Sequence, residues 1–382
     1  MPSRCLLLSL LVSLACKGSP STAPQPAAAT PGASAAAPAT EGLAITGGLL
    51  RLPDGTMAKR TIHIAGARIR AVDEAGPAPG ERVIDVAGTT LVPAFIDSHV
   101  HIVAARPEDM LRGGVAAAVD LGALPTIWED APAMRPFRLY PAGQLITARG
   151  GYPTQGWGRG GFGYEVEGVE AASRAAVEMA ERGAIAIKMP IVPEAGPILS
   201  AAEQRAVVET AHGRGLPVGS HAMSRDAVAM ALAAGVDILV HAPVDRLDEN
   251  VVRDFCQRPR AAVIPTLVAF GASTGARENA RALRAAGCTL LYGTDLGNGV
   301  PPGILLDELL HYQSLGMTPA EVIDAATRAP AAYFGLRDLG AIVPGQAASL
   351  LAVDGDPYRD LRSLGRRRLI VIEGQVIQQD GQ

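Results

Sequence analysis

Four of the seven histidines in this 382-residue chain stand where short apolar runs end. His99 and His101 follow the run that leads into Asp97-Ser98, His221 closes 217–221, and His241 closes Ile238-Leu239-Val240. Lys188 ends Ala184-Ile185-Ala186-Ile187, and Asp295 follows Leu291-Tyr292-Gly293-Thr294. Histidines at i and i+2 on a strand point to the same side. Neutral imidazoles are good ligands for zinc and similar cations. Alternating histidines also occur on solvated strand faces. Here the pair follows an apolar strand and has a lysine and an aspartate in equivalent places, which argues for metal chemistry. His63, His212 and His311 lie in a flanking β run, at a helix end and within a helix, and read as structural or surface residues.

The elements that would carry these residues recur with a rhythm. Eight apolar runs occupy 91–96, 115–121, 139–146, 184–189, 217–221, 236–240, 261–270 and 288–292. They are nearly continuous rather than alternating, as in strands buried on both faces of a parallel sheet. Helical patterns lie between them, at 171–182, 201–213, 225–234, 249–258, 279–286 and 304–315. Gly114, Gly183, Gly215, Gly235 and Gly287 each precede a run, as left-handed helix ends do. This order predicts an α/β protein, a (β/α)8 TIM barrel over 91–340. A doubly wound sheet is the alternative, but no glycine-rich phosphate turn follows the first strand. Residues 42–90 and 341–382 hold short β runs and turn signals, and predict one composite β-sandwich beside the barrel. In a barrel of this kind the six polar strand-end residues share the C-terminal face, where active sites are built.

The start of the chain reads as something other than fold. Arg4 precedes an apolar run that ends at Ala15-Cys16, too short to span a bilayer but suited to a signal peptide. Residues 1–16 resemble a bacterial lipoprotein signal with Cys16 as the lipidated residue, although Ser13 stands where such signals usually have Leu. The alternative is an ordinary signal cut near Ala15, giving a soluble periplasmic or secreted protein. Residues 17–41 form an Ala/Pro-rich tether; from Gly18 to Thr40 every residue except Gln25 is Gly, Ala, Pro, Ser or Thr. Export with a lipid anchor is therefore expected. Lys17, which is not Asp, points to the outer membrane in a double-membraned bacterium. Cys256 and Cys288 read as buried packing thiols, with no disulfide expected. Acids exceed bases by 38 − 34 = 4, so there is no basic footprint for nucleic acid. The 48% hydrophobic content excludes disorder for the bulk of the chain.

The ordered motifs resemble the metal-dependent amidohydrolases, in their imidazolonepropionase-like and Xaa-Pro dipeptidase-like branch. The matching residues are Leu91-Val92-Pro93-Ala94-Phe95-Ile96-Asp97-Ser98-His99-Val100-His101, Lys188, His221, His241, Gly293-Thr294-Asp295, and the tail from Leu339 to Leu350. Ala94 departs from the usual Gly. The resemblance implies that His99, His101 and Asp295 hold one divalent metal ion and that His221 and His241 hold a second. Lys188, carboxylated by CO2, would bridge the two. An ammonium cannot ligate a cation, whereas a carbamate is an anionic oxygen ligand. The implied metals are zinc, with manganese, cobalt, nickel or iron as substitutes. They would activate a water, and Asp295 would carry its proton to the leaving group. The implied reaction is hydrolysis of a carbon–nitrogen bond of a small molecule. Deamination fits less well, because His221 is followed by Ala222-Met223-Ser224-Arg225 and not by the nearby Glu of the deaminases.

Residues 149–164 hold seven glycines together with Tyr152, Trp157 and Arg159. This segment follows the third strand and should overhang the metals, as a mobile lid or as a packed loop. Tyr152 is a candidate donor to the substrate carbonyl. Small peptides, N-acyl amino acids, cyclic amides and lactones all remain open as substrates. Two other readings are kept: an esterase or lactonase using the same site, and an inactive envelope binding lipoprotein. A homo-oligomer is left open.

Overall fold

The computed structural model describes residues 42–380. The candidate signal, Cys16 and the tether lie outside the described residues. Among the described residues, no helix is long and apolar enough to cross a membrane.

Eight parallel strands carry the centre of the fold. Phe95–Val100, Val115–Asp120 and Arg138–Pro141 form one sheet in the order third, second, first. Ile187–Lys188, Val218–His221, Ile238–Val240, Ala262–Ile264 and Thr289–Leu290 form a second sheet in chain order. Backbone hydrogen bonds cross both seams. Ile185 N–H donates to Pro141 O at 3.1 Å, and Ser98 N–H donates to Tyr292 O at 2.8 Å. Ile96, Val119, Ile238, Val240, Ile264 and Leu291 share one buried apolar cluster, the interior such an arrangement requires. The result is a TIM-barrel-like α/β fold.

Local chemistry explains where the helices start and stop. Ser200 and Glu203 form a capping box on Ala201–Gly213, and Ser224 caps Arg225–Ala234 by accepting from Ala227 N–H. Gly235 ends that second helix at φ 93°, a conformation that favours glycine. The chain is thereby turned at once into Ile238–Val240, the strand before His241.

The runs were right in number and order, but their edges differ. The first strand starts at Phe95, because Thr89–Pro93 pairs instead with Leu350–Asp354 and Leu49–Arg51 in a flanking six-stranded sheet. The third run, 139–146, divides. Its end becomes Leu145–Ala148, which pairs with Gly163–Val166 and frames the glycine-rich segment. The flanking sheet also holds Met57–Lys59, Arg367–Ile372 and Gln375–Gln379. A four-stranded sheet of Leu43–Thr46, Thr61–Ala65, Arg68–Asp73 and Arg82–Asp85 shares an apolar cluster with it.

The cysteine expectation was wrong: Cys256 and Cys288 form a disulfide. Cys256 ends the helix Glu249–Cys256 and Cys288 immediately precedes the strand Thr289–Leu290. Their Cα atoms lie 4.6 Å apart across a sequence separation of 32. Spacing along the chain does not reveal that a helix end and a strand start meet.

Candidate metal centre

The six residues singled out by type and spacing are brought together. His99, His101, Lys188, His221, His241 and Asp295 all line one cavity of about 320 Å³. They come from the ends of the first, fourth, fifth, sixth and eighth strands. Tyr152 lines the same cavity, as do Trp157 and Phe270.

His99, His101 and Asp295 form the tightest group. Each offers a ligand atom, and these atoms lie within 4.8 Å of one another. The Nε2 atoms of His99 and His101 stand 3.2 and 3.4 Å from the same Asp295 oxygen. Backbone geometry enforces this convergence. Asp295 N–H donates to His99 O at 2.8 Å, and Asp295 has a φ of 56°. A non-glycine residue held there is strained, and such strain collects at functional sites. A Cβ at Gly293 would strike Ile264 and lie 3.0 Å from the His99 Cβ, so glycine is required for this approach. Asp97 is a buried clasp beneath the group. It accepts from His99 N–H and Thr294 N–H, each at 3.1 Å, and from the Thr294 hydroxyl at 2.6 Å.

Hydrogen bonds to backbone and hydroxyl groups settle two tautomers. Gly122 O can only accept, and it lies 2.9 Å from His101 Nδ1, so that nitrogen donates. Thr266 donates its hydroxyl to Pro265 O at 2.8 Å and therefore accepts from His241 Nδ1 at 2.7 Å. In the neutral form both imidazoles keep an Nε2 lone pair, the arrangement that such partners give metal-ligating histidines. His241 and Thr266 adopt φ values of 79° and 45°, so this part of the wall is also held in strained backbone. The His221 and His241 rings are 4.4 Å apart, and the His99 and His241 rings 5.1 Å apart.

Burial sets the charges. It drives His99 and His241 well below the ordinary imidazole range and His221 down to about 3. These three are therefore neutral near pH 7, the form that ligates. Burial also opposes ionisation of Asp295, yet His99 and His101 hold its carboxyl far below the usual range. For His101 burial is outweighed by Asp295, and its pKa rises. Lys188 is 2% exposed and has neither hydrogen bond nor ion pair among the described residues. Burial lowers it to about 7. An amine in that state has a lone pair free to react with CO2.

The donor set fits divalent metal ions. Both ring nitrogens of His99 are buried without a hydrogen-bond partner, a cost that ligation would relieve. Imidazole nitrogen with carboxylate oxygen suits zinc and its neighbours.

Spacing missed several residues that shape the site. Phe270 packs on His241 and His221 with ring centroids 4.5 and 6.0 Å away. It ends the seventh apolar run, a signal that was present but attached to no chemistry. Asp120, buried at the end of the second strand, accepts from Ile102 N–H and Gly122 N–H at 3.0 and 2.9 Å. It sits at a strand end just as the six donors do. Segment 149–164 is laced by its own turns, with Thr154 N–H donating to Gly151 O at 2.9 Å and Phe162 N–H to Gly158 O at 3.2 Å. Gln144 pins it by donating to Gly161 O at 2.8 Å.

The sequence matches the amidohydrolase family over residues 90–377. An uncharacterized protein of Mycobacterium tuberculosis is 25% identical over 370 residues, covering 85% of this chain and 94% of its own. An imidazolonepropionase of Streptomyces griseus is 26% identical over 357 residues, covering 80% and 88%. Among solved structures, a prolidase crystallised with N-methylphosphonate-L-proline superposes with a TM-score of 0.75 at 24% identity, covering 89% of this chain and 100% of its own. The match over most of the chain places this hydrolase in the amidohydrolase family, in its imidazolonepropionase- and prolidase-like branch.

Proposed function

We propose that this protein is a binuclear metal hydrolase that cleaves a carbon–nitrogen bond of a small molecule. The observation that carries the reading is the convergence of six ligand-type side chains from five strand ends on one cavity. His99, His101 and Asp295 would hold one ion, and His221 and His241 the other. Lys188 would bridge them once its Nζ lone pair has attacked CO2 and lost a proton to give the carbamate. In this reading the eight strands close as a (β/α)8 barrel and the two flanking sheets form a sandwich.

When bound, the metals supply a water that is nucleophilic near neutral pH and a Lewis acid for the scissile carbonyl. The protein does the rest. Asp295 takes the proton of the attacking water and passes it to the departing nitrogen. Asn298 steadies that carboxylate by donating to Oδ2 at 3.3 Å. Tyr152 receives the Trp157 indole N–H on its phenol oxygen at 2.8 Å, which leaves its own O–H free to donate to the substrate carbonyl. The test is a panel of dipeptides, N-acyl amino acids, neutral amides and lactones offered to metal-replete protein. Amide turnover abolished by chelation supports the reading; turnover of lactones alone makes the enzyme an esterase, and no turnover of any member contradicts it.

Export and lipidation at Cys16 belong to the same proposal, supported by the Cys256–Cys288 disulfide, since disulfides persist in oxidising compartments. Cys16→Ser should release the protein from membranes, and wild type found soluble with no acyl chain by mass spectrometry would remove the anchor.

A further inference from the structure

Outside its six ligand-type residues, the cavity wall is mostly apolar. Trp157 is 46% exposed, yet its ring packs 4.9 Å from that of His101 and 5.2 Å from that of Phe162. At the other end of the histidine row, Phe270 lies against His241 and His221. Val103, Ala104 and Leu145 also line the cavity, and Val103 is 66% exposed. Bare tryptophan and valine side chains beside one concave site mark a surface built for an apolar ligand. The remaining polar side chains of the wall are Tyr152 and Asn298, both neutral. Among the described residues no arginine lines the cavity, and its lysine and aspartate are the bridging and proton-carrying residues already assigned. Beyond the metal ions, which the scissile carbonyl would occupy, a carboxylate entering here would give up water without gaining a cationic side chain.

We infer that the substrate is uncharged and apolar beside its scissile bond: an alkyl or aryl amide rather than a dipeptide or an N-acyl amino acid with a free carboxylate. The inference rests on the hydrolase reading and narrows its substrate class. Trp157 is the specificity-determining residue, covering the apolar group while its indole N–H keeps Tyr152 turned to donate.

Two ketones that cannot be hydrolysed test this by binding: 1-phenylpentan-3-one, the methylene analogue of N-benzylpropanamide, and 4-oxo-2-phenylhexanoate, which adds a carboxylate where an N-acyl amino acid carries it. Calorimetry on the full, metal-loaded chain should find the neutral ketone bound about tenfold or more tightly, since each tenfold is about 1.4 kcal/mol. Trp157→Ala should weaken the neutral ketone by about tenfold through lost ring burial, whereas Trp157→Phe should retain most of the affinity. Equal or tighter binding of the carboxylate overturns the inference, as does a Trp157→Ala variant that binds both ketones as wild type does. N-benzylpropanamide, tested beside the amide and lactone panel, separates this from the hydrolase reading. If it and every member of that panel resist cleavage while the ketones bind in the expected order, the ligand class stands and the hydrolase reading fails.

Discussion

The two halves of the donor cluster are organised differently. In one half, His99 and His101 already converge on a single Asp295 oxygen at 3.2 and 3.4 Å. In the other, Lys188 and His221 have no side-chain hydrogen bond among the described residues, and only His241 is oriented, by Thr266. The first half is arranged around the Asp295 carboxylate, an anion of the chain itself. The second has neutral imidazoles and a neutral-leaning amine, with no anion of its own. A cation there needs a negative ligand, and the carbamate on Lys188 is the one this chain could make. Pre-organised and incomplete halves should therefore fail in different ways.

The largest effect is expected in the organised half. Asp295→Asn keeps the shape but removes the proton carrier, so kcat should fall by about a thousandfold with the fold intact. Turnover near wild type in a metal-replete variant would take Asp295 out of the mechanism. Next comes the bridge. Lys188→Ala should lose one metal ion and most activity while the His99 half keeps its ion, and added acetate or propionate should restore part of both. Metal content unchanged from wild type would mean that Lys188 bridges nothing.

Thr266→Val should act more mildly, through His241. Without the hydroxyl the imidazole loses its tautomer, and metal affinity of the second half should drop by about 10- to 100-fold, as loss of such partners does elsewhere. Competition with a chelator measures it, and an unshifted curve would make the Thr266 contact incidental. The smallest effect is on stability. His99, His221 and His241 have lowered pKa values in the folded state. Between about 6.5, the unperturbed value, and about 3, the value of buried His221, the unfolded chain binds protons that the folded chain does not. Folding of metal-free protein should therefore weaken as pH falls through that window. Thermal unfolding followed against pH shows it, and His221→Asn should flatten part of the decline. A slope no different from wild type would assign that loss to other groups.

Much of this contrast was legible in the residues. Buried parallel strands must be apolar along their length, so the polar residue ending each one stands out: His221, His241, Lys188 and Asp295 were all found that way. The same rule passes over Asp120, which lies inside the run 115–121, and Phe270, which is apolar; their work is done on neighbours remote in sequence. Thr266 was invisible for a related reason: its contact with His241 spans 25 residues. The first strand starts later than Leu91 because Leu91-Val92, though apolar, belongs to Thr89–Pro93, a strand paired on both sides in the flanking sheet. The Cys256–Cys288 pair depended on the packing of a helix end against a strand start, which no local pattern encodes.

The central claim is that the incomplete half becomes a second metal site through a carboxylated Lys188. Metal analysis of pure wild-type protein, loaded with zinc in the presence of bicarbonate, tests it most directly. About two equivalents per chain, falling to about one in Lys188→Ala, is the result expected of a bridged pair. One equivalent in wild type, unchanged by added metal and bicarbonate, would contradict it and leave a mononuclear enzyme built on His99, His101 and Asp295.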